Sequence, residues 1–130
     1  MKHQLISYIR FLINSTSQHG VHSPFVYNLV TKCFYDKTFY NDYNKLKDYK
    51  TKLLKNNTTL KITDLGLGSR VTKSDTRQIS EITKNAGSTK KRAQLLYRLN
   101  RYFKSKTILE LGTSLGIATH ALHLGHKNIL

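Results

Sequence analysis

Thr107-Ile108-Leu109-Glu110-Leu111-Gly112-Thr113-Ser114-Leu115-Gly116-Ile117-Ala118-Thr119 is the stretch on which the reading of this 130-residue chain turns. Residues with strand character reach a carboxylate and run into a glycine-containing turn, and an apolar run of helical spacing follows at once. That succession predicts a strand at 107–111, a ligand loop, and a helix from Ile117 that stops at Gly125, a C′ glycine. It is the layout of the first strand, loop and helix of an open α/β sheet. In such sheets ligands sit outside the carboxyl ends of the strands.

The loop chemistry separates the usual occupants. A dinucleotide fingerprint needs G-x-G-x-x-G, but Ser114 stands between Gly112 and Gly116 and the pyrophosphate turn is incomplete. A P-loop needs a lysine after its last glycine, where this chain has Ile117 and Ala118. Glu110, immediately before the first glycine, repels a pyrophosphate and accepts hydrogen bonds from a cationic or amine-bearing ligand. The loop therefore points to S-adenosylmethionine. A purely conformational use of the two glycines stands beside this reading.

A similar acid-then-glycine string, Asp64-Leu65-Gly66-Leu67-Gly68-Ser69, follows Leu60-Lys61-Ile62-Thr63. The residues after it, Arg70 to Asp75, are polar and lack the apolar face that a first helix presses on its sheet. The expectation is a short peripheral strand at 60–64 and a loop at 65–75. Ser74 or Asp75 would then cap a short helix starting near Thr76 and built around Ile79 and Ile82.

Composition sets outer limits. With 38% hydrophobic and 10% aromatic residues the chain carries enough apolar material for one modest core. One cysteine excludes an internal disulfide and a cysteine-based metal site. Cys33 shares a helical face with Phe25, Val26, Leu29 and Val30, the setting of a small buried hydrophobe. The apolar stretch from Leu5 to Ile13 is interrupted by Arg10, is too short to span a bilayer and precedes no cleavage site, so the expected compartment is the cytoplasm, with no membrane partner. The net charge is +15. Between Lys84 and Lys106 stand Lys90, Lys91, Arg92, Arg98, Arg101 and Lys104, with no acid between Glu81 and Glu110. Such a surface attracts phosphates, and nucleic-acid binding through this region is the alternative function, although no nucleic-acid motif accompanies it.

Helical periodicity marks the rest. Leu5, Ile9, Leu12 and Ile13 define a helix over about residues 3–14. Ser23-Pro24 reads as an N-cap with proline at the first helical position. Tyr43, Leu46, Tyr49, Leu53 and Leu54 define a helix over about 40–55. Residues 90–103 make the strongest helix, with Leu95, Leu96, Leu99, Tyr102 and Phe103 as its expected apolar face. Asn128-Ile129-Leu130 reads as the start of another strand.

With these strings in place, the chain resembles the class I S-adenosylmethionine-dependent methyltransferases. It is most similar to a bacterial subgroup with a His-Gly-Val-His-Ser-Pro-Phe string, here residues 19–25. That subgroup also shows Asp-x-Gly-x-Gly-Ser, here 64–69, and Ile-Leu-Glu-Leu-Gly-Thr-Ser-Leu-Gly, here 108–116. The resemblance covers essentially the whole chain in order. It implies an α/β fold: an N-terminal helical region over 1–57, then over 58–130 the first strand, loop and helix of a Rossmann-like sheet left incomplete.

The resemblance further implies a cofactor loop of Glu110, Gly112, Thr113, Ser114 and Gly116, with Thr119 as a lesser contact. His19 and His22 are the candidates for a catalytic base or a lid contact. They lack a third partner for zinc, so no metal is expected. The second half of such a domain, including the acid that holds the ribose hydroxyls, has no counterpart here. The expectation is the N-terminal part of a methyltransferase, with an unidentified methyl acceptor, that binds its cofactor weakly or not at all by itself. Its unfinished sheet edge would favour self-association or a partner chain, and a non-catalytic remnant completed by such a partner is the further alternative.

Overall fold

A computed structural model describes residues 2–15, 17–63 and 75–126. The chain divides into two compact units, Met1–Lys37 and Thr38–Leu130. The first carries helix α1 (Lys2–Asn14), a 3-10 turn (Gln18–Gly20) and helix α2 (Pro24–Leu29), which continues as a π turn (Val30–Phe34). Ser23 caps α2 as its sequence predicts, its hydroxyl accepting the Val26 N–H at 3.4 Å, with Pro24 opening the helix. The π turn is closed by the Tyr35 N–H on the Val30 carbonyl at 2.9 Å. Cys33 is buried, as expected of a small hydrophobe.

The second unit holds α3 (Asp42–Leu54), a hairpin of β1 (Thr59–Lys61) and β2 (Thr76–Gln78), then α4 (Ile79–Asn85), α5 (Lys90–Phe103) and α6 (Ile117–Gly125). The protein is thus mostly helical, with a small antiparallel sheet whose register pairs Thr59 with Gln78 and Lys61 with Thr76. The core joins Tyr43 and Leu46 of α3 to Ala93 and Tyr97 of α5 and to Ile117, Ala121 and Leu124 of α6. Helix α3, reckoned with the N-terminal region in the sequence, packs in this second unit.

Three expectations change. Residues 107–111 lie outside regular secondary structure, and Leu109 and Leu111 are 84% and 87% exposed. A parallel strand holds its shape through ladder bonds on its edges, and among the described residues no strand pairs with this segment. Residues 76–78, expected to open a helix, form β2 instead, because the chain from 58 to 62 supplies backbone partners there: Ile62 N–H reaches the Asp75 carbonyl at 2.7 Å and Ile79 N–H the Thr58 carbonyl at 3.0 Å. The buried face of α5 is Ala93, Tyr97 and Asn100, whereas Phe103 is 46% exposed. Ala93 is small enough to lie under α3, and Tyr97 and Asn100 enter the core with polar partners. The string at 64–69 and the stretch at 128–130 lie outside the described residues.

Candidate functional site

The glycine segment is held from two sides. At its C-terminal end it enters α6, whose inner face packs along α5. Gly125 makes that packing possible: a Cβ there would stand 2.4 Å from the Tyr97 carbonyl oxygen. Asn100, buried in α5, donates its side-chain N–H to the Leu122 carbonyl at 2.6 Å and adds a polar tie between the same helices. On the other side Tyr49 of α3 donates its hydroxyl to the Leu115 carbonyl at 2.9 Å. Its ring lies against His120, with centroids 4.9 Å apart.

Between these anchors the backbone turns through three left-handed residues, Gly112 (φ 79°), Ser114 (φ 52°) and Gly116 (φ 71°). Left-handed geometry costs an ordinary residue about 1–2 kcal/mol and glycine almost nothing. Two glycines and a small polar residue therefore stand where the turn needs them. Gly116 also donates its N–H to the Thr113 carbonyl at 3.0 Å and forms the N-cap of α6. A Cβ on Gly112 would meet nothing within 4 Å, so the loop is open at that point.

Glu110 and Thr119, nine residues apart, meet across the turn: the Thr119 hydroxyl donates to the Glu110 carboxylate at 2.6 Å. The carboxylate lines two recesses. One, of about 50 Å³, is also lined by Gly112, Thr113, Ser114 and Ala118. The other, of about 220 Å³, is formed with Ile108, Leu122 and His123. The structure thus brings Glu110, Gly112, Thr113, Ser114 and Gly116 into one place and adds Thr119. His19, on the 3-10 turn, and His22, exposed beyond it, belong to the other compact unit. Among the described residues no group of three or more histidines, cysteines or acids is placed to hold a metal ion.

The electrostatics come from burial as much as from charge. His120, half-buried behind the loop, has its pKa lowered by desolvation, then by His123 and Lys45, against a smaller opposing pull from Asp42. Tyr97 has its pKa raised, first by burial and then by Asp42, whose carboxylate accepts its hydroxyl at 3.4 Å. Two cations of the basic run serve tertiary packing: Arg98 donates to the Tyr43 hydroxyl at 3.2 Å, and the Arg101 guanidinium lies 5.0 Å from the Tyr40 ring centroid.

No known protein family, curated protein or solved structure matches this chain. Among the described residues no helix is long and apolar enough to cross a membrane.

Two supports of this loop are not legible in the sequence. The sequence marks Tyr49 only as part of an apolar stripe and does not single out Asn100. For Tyr49 a weak signal existed, since a buried tyrosine hydroxyl usually finds a partner. For Asn100 there was none without knowing which helix lies opposite.

Proposed function

We propose that residues 110–119 hold the amino-acid end of S-adenosylmethionine, and that the chain is the N-terminal, Rossmann-like portion of a cytoplasmic methyltransferase. The observation that carries this reading is the left-handed succession Gly112, Ser114, Gly116 at the mouth of α6, closed by the Thr119–Glu110 hydrogen bond. The donor set fits the charged end of that cofactor. Glu110 offers a carboxylate to an ammonium group, and the first N–H groups of α6, which have no acceptor within the helix, suit a carboxylate. The 50 Å³ recess has room for such a terminus and not for a nucleoside. The cofactor supplies an electrophilic methyl group on a sulfonium sulfur. The residues on the loop bind and orient, and Tyr49 and the α5–α6 packing keep the turn in shape for them.

Leu109 and Leu111 support the related proposal that residues 107–111 complete a sheet with further strands or a partner chain. Two apolar side chains, both almost fully exposed, flank Glu110 on a segment without a ladder partner among the described residues. The nucleic-acid reading is supported less, because Arg98 is engaged with Tyr43 of α3 and Arg101 with Tyr40 just before it.

The test is an NMR titration of the chain with S-adenosylmethionine up to millimolar concentration, a range suited to weak binding. Saturable shifts are expected at the amides of Gly112, Ser114 and Gly116, with affinity about tenfold or more lower in Glu110→Gln, the value of one charge-assisted hydrogen bond of about 1.5–3 kcal/mol. Binding that leaves these amides unshifted, or equal binding by Glu110→Gln, would remove the cofactor reading.

A further inference from the structure

A cleft of about 350 Å³ opens between the β1–β2 hairpin, α4 and the glycine loop. That is a small but ordinary volume for a ligand pocket, for which roughly 300–1,000 Å³ is typical. Leu60, Ile62, Ile82 and Leu115 supply apolar walls. Arg77 supplies a cation among the described lining residues, and Glu81, Asn85 and Ser114 supply other polar groups. Backbone bonds hold the walls. Besides the bonds at Ile62 and Ile79 already described, Ser80 N–H reaches the Asn56 carbonyl at 2.9 Å and joins the start of α4 to the end of α3. The cleft meets the loop at Ser114, which lines both it and the small recess beside Glu110.

This combination selects a ligand. Apolar walls on several sides favour a flat hydrocarbon body. A guanidinium fork matches a carboxylate in two parallel hydrogen bonds, a geometry that a lysine would not impose. Glu81, an acid of the lining, repels a second anionic group and accepts a hydrogen bond from a hydroxyl. We propose that the cleft binds a one-ring aromatic carboxylate bearing a hydroxyl, with the carboxylate held by Arg77 and the ring laid between Ile62, Ile82 and Leu115. Its role as methyl acceptor rests on the methyl-transfer reading above, because Ser114 joins the two recesses. The binding itself does not depend on that reading.

The probes are 4-hydroxybenzoate and its opposite-charge analogue 4-hydroxybenzylamine, titrated by NMR into the full chain at about 0.15 M salt, where diffuse attraction is screened beyond about 8 Å. The acid is expected to saturate with shifts at Ile62, Ile82 and Leu115, and to bind at least tenfold more tightly than the amine. Arg77→Gln should lower its affinity tenfold or more and Arg77→Lys only a few-fold. Lys91→Gln, an exposed cation outside the cleft, should leave it unchanged. Equal binding of acid and amine by the unaltered chain overturns the proposal whatever the variants do, and so does an equal loss in Lys91→Gln. If the acid binds while S-adenosylmethionine binds without shifting residues 110–119, the cleft stands and methyl transfer falls; the reverse result removes the cleft alone.

Discussion

Gly125→Ala tests the packing that carries the loop. The added methyl would stand 2.4 Å from the Tyr97 carbonyl oxygen and 3.2 Å from Asn100 Cβ. The nearest atom belongs to backbone, so no rotamer change relieves the overlap, and α6 must move away from α5 by the better part of an ångström. Overpacking of this kind costs about 1–3 kcal/mol. Alanine also gains up to about 1 kcal/mol over glycine in a helix interior, less at a last helical residue such as this one. The net expectation is a loss of about 1–2 kcal/mol, which for a unit of this size lowers Tm by about 4–16 °C. Thermal unfolding followed by circular dichroism at 222 nm reads it. Gly112→Ala is the control: its φ of 79° strains any side chain, but its Cβ meets open space, so about 1–2 kcal/mol is lost there without any shift of α6. The two variants part in amide exchange, since Gly125→Ala should release Leu122 and its neighbours and Gly112→Ala only the loop. A Gly125→Ala protein as stable as the unaltered chain would show that α5 and α6 do not approach as described, and the placement of the loop would fall with them.

Tyr49→Phe removes the hydroxyl that the Leu115 carbonyl accepts, with an expected loss of about 0.5–1.5 kcal/mol and faster hydrogen exchange at residues 112–119; unchanged protection there would mean that α3 does not hold the loop. His120, with its folded-state pKa lowered, stays neutral where the unfolded chain already takes a proton, so stability should fall as pH drops below the ordinary imidazole value of 6.5 and continue to fall until the folded pKa is passed. His120→Phe, which keeps a ring against Tyr49, should flatten that slope in urea unfolding between pH 4.5 and 8, and an identical slope would assign the pH dependence to other groups.

Local chemistry was legible because it is local. Pro24 behind Ser23, the span of α5 from Lys90 to Phe103 and the stop of α6 at Gly125 follow from propensity, capping and periodicity within a few residues. The glycine turn is legible in the same way, since positive φ at Gly112 and Gly116 writes its demand into the residue types at those positions. What depends on partners distant in sequence was not legible. Residues 107–111 have strand composition, but a strand exists only where another chain segment offers ladder bonds, and no described segment does so here. Residues 76–78 have weak strand character and form one because 59–61 lie alongside. The most deeply buried positions of α5 are Ala93, Tyr97 and Asn100, with Leu96 packed beside them, and the Tyr97 hydroxyl and the Asn100 side-chain N–H find acceptors in Asp42 and the Leu122 carbonyl. Hydropathy ranks residues by transfer from water, and only tertiary structure decides which polar group finds the partner that makes its burial affordable.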